Sequence, residues 1–72
     1  RKDDIPLLVN KFLQDIANDY GQVVKMIEPK AVEALQQHSW TGNIRELRNV
    51  VERLVILSGK TITDEDVKNY VR

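Results

Sequence analysis

The amino-acid sequence predicts an all-α fold, a compact bundle of four short helices. Three observations predict it. Four segments place apolar residues at the three- and four-residue spacing of an amphipathic helix. No segment shows the sustained alternation of apolar and polar residues that a half-buried strand requires. The chain has 72 residues, enough for one small domain whose helices are joined by short turns.

The first predicted helix runs from about Ile5 to Asp19. Asp4 suits the N-cap because its carboxylate can accept backbone N–H bonds, and Pro6 lies in the first turn, where a missing N–H costs nothing. Gly21 supplies the stop signal at the other end. One apolar stripe follows the helical spacing and comprises Ile5, Leu8, Val9, Phe12, Leu13, Ile16 and Tyr20.

The second predicted helix runs from about Pro29 to Gln37, with Pro29 at its first position. Ile27 and Val32 can form a hydrophobic staple around its start. Small alanines on its inner face allow another helix to approach closely. Its candidate core residues are Ala31, Val32, Ala34 and Leu35.

The third predicted helix runs from about Ile44 to Leu57. Asn43 is its expected N-cap, Glu46 completes a capping-box pattern, and Gly59 ends the helix. The broad apolar face comprises Ile44, Leu47, Val50, Val51, Leu54, Val55 and Leu57. The opposite face comprises Arg45, Arg48, Asn49, Glu52 and Arg53, with Ile56 as an apolar exception.

The fourth predicted helix is short and runs from about Asp64 to Val71. Thr63 is its expected cap, with Asp66 at the third helical position. Ile62 can form a staple with Val67. The expected inward residues are Val67, Tyr70 and Val71.

Composition and charge argue against several classes of function. Eleven basic and eleven acidic residues cancel, so the chain lacks the net positive field that attracts nucleic acid or anionic membranes. It has no cysteine, which excludes disulfides and thiolate metal sites and is consistent with a cytoplasmic location. No apolar run approaches the roughly 18 residues of a membrane span, so we expect no membrane partner. Because the chain does not begin with methionine, we expect it to be a fragment of a longer protein.

Arg45 stands where a cation is locally unfavourable. The start of a helix carries roughly half a positive charge, so a cation in the first turn costs a few tenths of a kcal/mol. The position makes sense if an anion arrives, because helix N-termini bind phosphate and arginine adds a charge-assisted contact. Gly42 would let another backbone approach closely. The alternative interpretation is an ordinary solvated arginine.

The stretch "WTGNIRELRNVVERLVIL" resembles the W-P-G-N-(V/I)-R-E-L signature of bacterial enhancer-binding proteins, the AAA+ ATPases that activate sigma-54 RNA polymerase. "RKDDIPLLVNKFL" is similar to the R-x-x-D-I-P-x-L segment of that family, "IEPKAVEAL" to the segment before the tryptophan, and "ITDEDV" to the end of the ATPase module. The resemblance covers essentially the whole chain in the same order. Thr41 departs from it, since the family usually has proline there.

The resemblance implies that residues 1–72 are the C-terminal helical lid subdomain of an AAA+ module. It implies that Arg45 is the sensor 2 arginine, which reaches ATP phosphates held with Mg by the α/β subdomain and acts catalytically only in the assembled ring. By the same resemblance, the segment of Ile5 and Pro6, which caps the first helix, lies near the hinge to the ATP-binding subdomain, where an apolar contact to the base is the nucleotide-binding hypothesis. We expect Gly42 and Asn43 to serve the turn and the cap first, with lining of the nucleotide pocket as their second role. The implied partners are the α/β subdomain of the same chain, neighbouring protomers of a homo-oligomeric ring, and sigma-54 RNA polymerase. DNA would be bound only through a separate C-terminal domain.

The chain carries no P-loop of its own. Gly59-Lys60-Thr61 imitates the end of G-x-x-x-x-G-K-(S/T), but the first glycine of that motif is replaced by Leu54 within a predicted helix. We therefore interpret it as a turn. The family's Walker B run, sigma-contacting loop and helix-turn-helix domain are also missing, so we expect no ATP hydrolysis by this chain alone.

Other conspicuous residues have structural interpretations. We expect Trp40 to pack where helices two and three meet, with stacking on adenine as the alternative. The single histidine, His38, makes neither a metal site nor a catalytic triad. The acids at 64–66 are expected at a helix start, so we assign no metal. We expect a solvated face with i, i+4 pairs at Arg48, Glu52 and Arg53. The alternative is that these residues contact the neighbouring subdomain or protomer.

Two other functions remain open at this point. Helices two and three could form a DNA-binding helix-turn-helix, although the third helix interleaves arginines with glutamates. The chain could also be a purely structural helix-pairing module, in which case Arg45 is dispensable.

Overall fold

The chain folds as four α-helices, as the sequence predicts, with one very short strand pair between them. The computed structural model describes residues 4–38, 40 and 44–71. The elements are α1 (Ile5–Tyr20), β1 (Met26–Ile27), α2 (Pro29–Gln37), α3 (Ile44–Leu57), β2 (Thr61–Ile62) and α4 (Asp64–Tyr70). No described helix is long and apolar enough to cross a membrane.

The helix bounds agree with the predicted ones to within one residue, with α1 ending at Tyr20 rather than Asp19 and α4 at Tyr70 rather than Val71. Gly21 ends α1 in the left-handed conformation at φ 65°, which glycine adopts without steric penalty. Thr63 and Asp66 form a complete capping box at the start of α4. Asp4 is the N-cap of α1 but makes no side-chain cap hydrogen bond. Its backbone is helical, at φ −85° and ψ −16°, rather than extended as a side-chain cap normally requires. Asn43 lies outside the described residues.

A parallel strand pair was not predicted. Met26 pairs with Thr61, and Ile27 with Ile62. The backbone N–H of Glu28 continues the contact by donating to the carbonyl oxygen of Ile62 at 2.9 Å. Two-residue strands are too short to show a period, so sequence patterning could not reveal them. The pair holds the starts of α2 and α4 side by side.

The core lies between the inner faces of all four helices, and most of the predicted core residues are in it. The prediction that Ile44, Leu57 and Tyr20 are buried is wrong, because these side chains are 55%, 48% and 45% exposed. Ile44 and Leu57 are the first and last residues of α3, beyond the reach of neighbouring helices, and Tyr20 ends α1. The buried core comprises Ile5, Val9, Phe12, Leu13, Ile16, Ala31, Leu35, Leu47, Val50, Val51, Leu54, Ile62, Val67 and Val71.

Candidate functional site

The first turn of α3 presents Arg45 to solvent. Arg45 is the second residue of the helix and is exposed. Its side chain makes no hydrogen bond or ion pair with any residue in the described ranges. The guanidinium therefore keeps its full donor set available beside the positive end of the helix.

The other two arginines of α3 are engaged within the domain. Arg48 forms ion pairs with Asp19 at 3.2 Å and with Glu52 at 3.4 Å. Arg53 donates a hydrogen bond to the backbone carbonyl oxygen of Tyr70 at 3.4 Å. The pairing of Arg48 with Glu52 matches the predicted i, i+4 pattern. Of the described α3 arginines, only Arg45 keeps an unengaged guanidinium.

Ile5 and Pro6, two of the other residues predicted to bind the nucleotide, differ in burial. Ile5 is only 4% exposed and belongs to the hydrophobic core, so it packs inside this domain. Pro6 is half-buried and still presents surface at the start of α1. Gly42 and Asn43 lie outside the described residues.

Trp40 packs against the core just before α3. It is half-buried, and its indole Nε1 donates to the backbone carbonyl oxygen of Leu35 at 2.7 Å. The His38 ring lies 5.7 Å from it between centroids, tilted by 43°. These contacts agree with the predicted packing role and join Trp40 to the end of α2.

Asp66, one of the three acidic residues at the start of α4, caps that helix together with Thr63. The Asp66 carboxylate accepts the backbone N–H of Thr63 at 2.9 Å, and the Thr63 hydroxyl accepts the backbone N–H of Asp66 at 3.2 Å. Within the described part of the chain, no group of three or more histidine or acidic residues is arranged to hold a metal ion.

Sequence reasoning missed a set of polar contacts between the end of α1 and α3. The Tyr20 hydroxyl donates to the Glu52 carboxylate, and this bond raises the pKa of Tyr20 above its usual value. Lys25 Nζ donates to the carbonyl oxygens of Val55 and Ser58 and to the Ser58 hydroxyl. Because the partners are about 30 residues apart in the chain, no local sequence pattern could predict these contacts.

The AAA+ ATPase lid domain family matches residues 1–72. The chain is 44% identical to the regulatory protein AtoC of Escherichia coli strain K12, covering 100% of this chain and 16% of AtoC. It is 44% identical to the transcriptional regulatory protein ZraR of the same strain, covering 93% of this chain and 15% of ZraR.

A crystal structure of NtrX from Brucella abortus in complex with ADP has the same fold over this region. Its TM-score is 0.79 at 44% sequence identity, and the match covers 92% of this chain and 16% of the NtrX chain. The chain thus spans about a sixth of the length of these relatives. It belongs to the AAA+ ATPase lid domain family, and the resemblance to the helical lid of sigma-54-dependent transcriptional activators is confirmed.

Proposed function

We propose that this chain is the nucleotide-responsive lid of a bacterial sigma-54-dependent activator ATPase, in which Arg45 contacts the ATP phosphates as the sensor 2 arginine. One observation carries the proposal. Arg45 is exposed in the first turn of α3 and has no partner among the described residues, whereas Arg48 and Arg53 are both engaged.

The physical argument starts from the charge at the start of α3. The helix dipole and the guanidinium are both positive there, so each raises the attraction of an incoming phosphate. Arginine can donate two parallel hydrogen bonds to phosphate oxygens. Most of the nucleotide, with its Mg, would be held by the α/β subdomain of the same chain. The ADP bound to the related NtrX structure supports nucleotide binding by the longer protein.

ATP hydrolysis would change the phosphate groups that Arg45 contacts. Loss of the γ-phosphate removes negative charge and acceptor oxygens from the site, so the attraction between lid and nucleotide falls. The lid would then rotate as a rigid body against the α/β subdomain and its neighbours in a homo-oligomeric ring. Through that ring the longer protein would act on sigma-54 RNA polymerase in the cytoplasm, with DNA bound by a separate domain.

The other two functions have less support. A DNA-reading helix needs basic side chains free to reach phosphates or bases, yet Arg48 is neutralised by Asp19 and Glu52. A purely structural module would leave the unpartnered cation at the start of α3 as an ordinary solvated arginine, with the small electrostatic cost of that position uncompensated. It also predicts that Arg45 can be replaced without loss of function, which makes it directly testable.

The test is ATP turnover by the full-length parent protein carrying Arg45→Ala. We expect turnover to fall about 100-fold, the usual effect of removing one preorganised donor to developing charge. Arg45→Lys keeps the positive charge but lacks the planar guanidinium group, so its turnover should lie between those of the unmodified protein and Arg45→Ala. Arg53→Ala is the matched control, because it removes an exposed arginine from the same helix.

ATP binding and circular dichroism of each variant separate chemistry from folding. An intact helical spectrum with lost turnover supports the proposal. Turnover by Arg45→Ala equal to that of Arg53→Ala would remove the sensor 2 role and leave the structural interpretation. The 72-residue chain alone serves as the baseline, since we expect it to hydrolyse no ATP.

A further inference from the structure

A row of polar contacts fastens the end of α1 and the segment after it to α3. The partners on α3 follow one another at intervals of three or four residues, so the contacts lie along one side of the helix. The pairs are Asp19 with Arg48, Tyr20 with Glu52, and Lys25 with Val55 and Ser58.

Lys25 makes three hydrogen bonds, more than any other residue of this row. Its ammonium group meets three oxygen atoms, at 2.7 Å from the Val55 carbonyl, 3.2 Å from the Ser58 hydroxyl and 3.4 Å from the Ser58 carbonyl. The carbonyls at a helix C-terminus lack partners within the helix and carry partial negative charge. A half-buried cation there makes charge-assisted hydrogen bonds, which are stronger than neutral ones. The ion pair of Arg48 with Asp19 is more exposed than the Lys25 contacts, so solvent screens it more strongly.

We propose that Lys25 is a positioning residue for Arg45, acting through α3. The inference rests on the proposed function of Arg45. Val55 lies ten residues beyond Arg45 in one continuous helix, a distance of about 15 Å along the axis. A tilt of about 10° at the Lys25 end would therefore move the start of α3 by about 2.5 Å. Misplacement of a catalytic group by about 1 Å can already cost 100-fold in rate.

The test is a double-mutant cycle in the full-length parent protein, using Lys25→Met and Arg45→Ala. We expect Lys25→Met to lower kcat about tenfold with little change in KM, because Arg45 acts mainly as the phosphate charge develops. In the Arg45→Ala background, Lys25→Met should have no further effect, since there is no guanidinium left to misplace. Lys25→Arg keeps the cation and should restore most of the rate.

Lys60→Met is the matched control. Lys60 follows the same end of α3, is exposed and makes no side-chain hydrogen bond or ion pair within the described ranges. If Lys25→Met retains the kcat of Lys60→Met, the inference is overturned. It is also overturned if Lys25→Met lowers kcat by the same factor with and without Arg45, because the effect would then come from the fold.

Hydrogen exchange gives a readout that does not depend on Arg45. In Lys25→Met, the amides in the last turn of α3 and the amide of Ser58 just after it should exchange about tenfold faster than in Lys60→Met. Unchanged exchange overturns the inference even if Arg45 proves essential. If Arg45→Ala has no effect on turnover, the proposed function fails and the positioning role fails with it, while faster exchange would still establish Lys25 as a structural clamp.

Discussion

Substitution of Trp40, which packs against the core shortly before the helix of Arg45, should destabilise the fold. Its indole contributes two separable terms, a hydrogen bond to the Leu35 carbonyl oxygen at 2.7 Å and apolar packing against the core. Trp40→Phe removes the hydrogen bond but keeps an aromatic ring. The Leu35 carbonyl still accepts the backbone N–H of His38 at 3.2 Å, so it is not left unsatisfied.

We therefore expect Trp40→Phe to lower the free energy of unfolding by about 1 kcal/mol, the net worth of one hydrogen bond. Trp40→Ala also removes the ring. A fully buried aromatic costs about 3–5 kcal/mol, so half-burial reduces the expected loss to about 2.5 kcal/mol. For a domain of this size, 1 kcal/mol lowers Tm by about 4–8 °C.

The assay is thermal and urea unfolding of the 72-residue chain, followed by circular dichroism because Trp40 is the only tryptophan and its fluorescence is lost in the variants. Ile56→Ala is the control, since Ile56 is 61% exposed and its loss should stay within about 0.5 kcal/mol. Two results would refute the reasoning. One is a Trp40→Ala variant as stable as Ile56→Ala, and the other is a Trp40→Phe variant as unstable as Trp40→Ala.

Two further predictions concern the end of α1. Gly21→Ala should cost about 1 kcal/mol of unfolding free energy because φ is positive there, although a Cβ would meet no atom within 4 Å. Gly59→Ala, with equally open space and no positive φ, should be nearly neutral in the same denaturation assay. In a Tyr70→Phe background the remaining phenol, Tyr20, should titrate by ultraviolet absorbance above its usual pKa of about 10. Because the pKa of Tyr20 is raised in the folded state, its hydrogen bond to Glu52 stabilises the fold fully below about pH 10, and this stabilisation is lost as the pH rises through the folded pKa. A Glu52→Gln variant in which Tyr20 titrates at an equally high pH would contradict the assignment.

The helices could be predicted from the sequence because their signals are local. Pro29 and Thr63 mark helix starts, Gly21 marks a stop, and the apolar spacing between such markers is helical. The predicted bounds of the second and third helices agree with the observed α2 (Pro29–Gln37) and α3 (Ile44–Leu57). The presence of Arg45 at a helix start was equally visible, since it needs only the position of that start.

What the sequence could not provide depends on contacts between distant segments. The pairing of Met26 with Thr61 and the contact of Lys25 with Ser58 join residues more than 30 positions apart. Periodicity also assigned Ile44 to the buried face, although a helix terminus has few neighbours to cover it. The engagement of Arg48, which sets Arg45 apart among the α3 arginines, likewise required the fold.

The most direct measurement of the central claim is a structure of the full-length protein with a non-hydrolysable ATP analogue and Mg. We predict that a guanidinium nitrogen of Arg45 lies about 3 Å from a phosphate oxygen, within hydrogen-bond distance. With ADP the contact to the γ-phosphate position should be lost and the lid should be rotated. An Arg45 side chain directed away from the nucleotide in both states, with the phosphates neutralised by other residues, would contradict the claim.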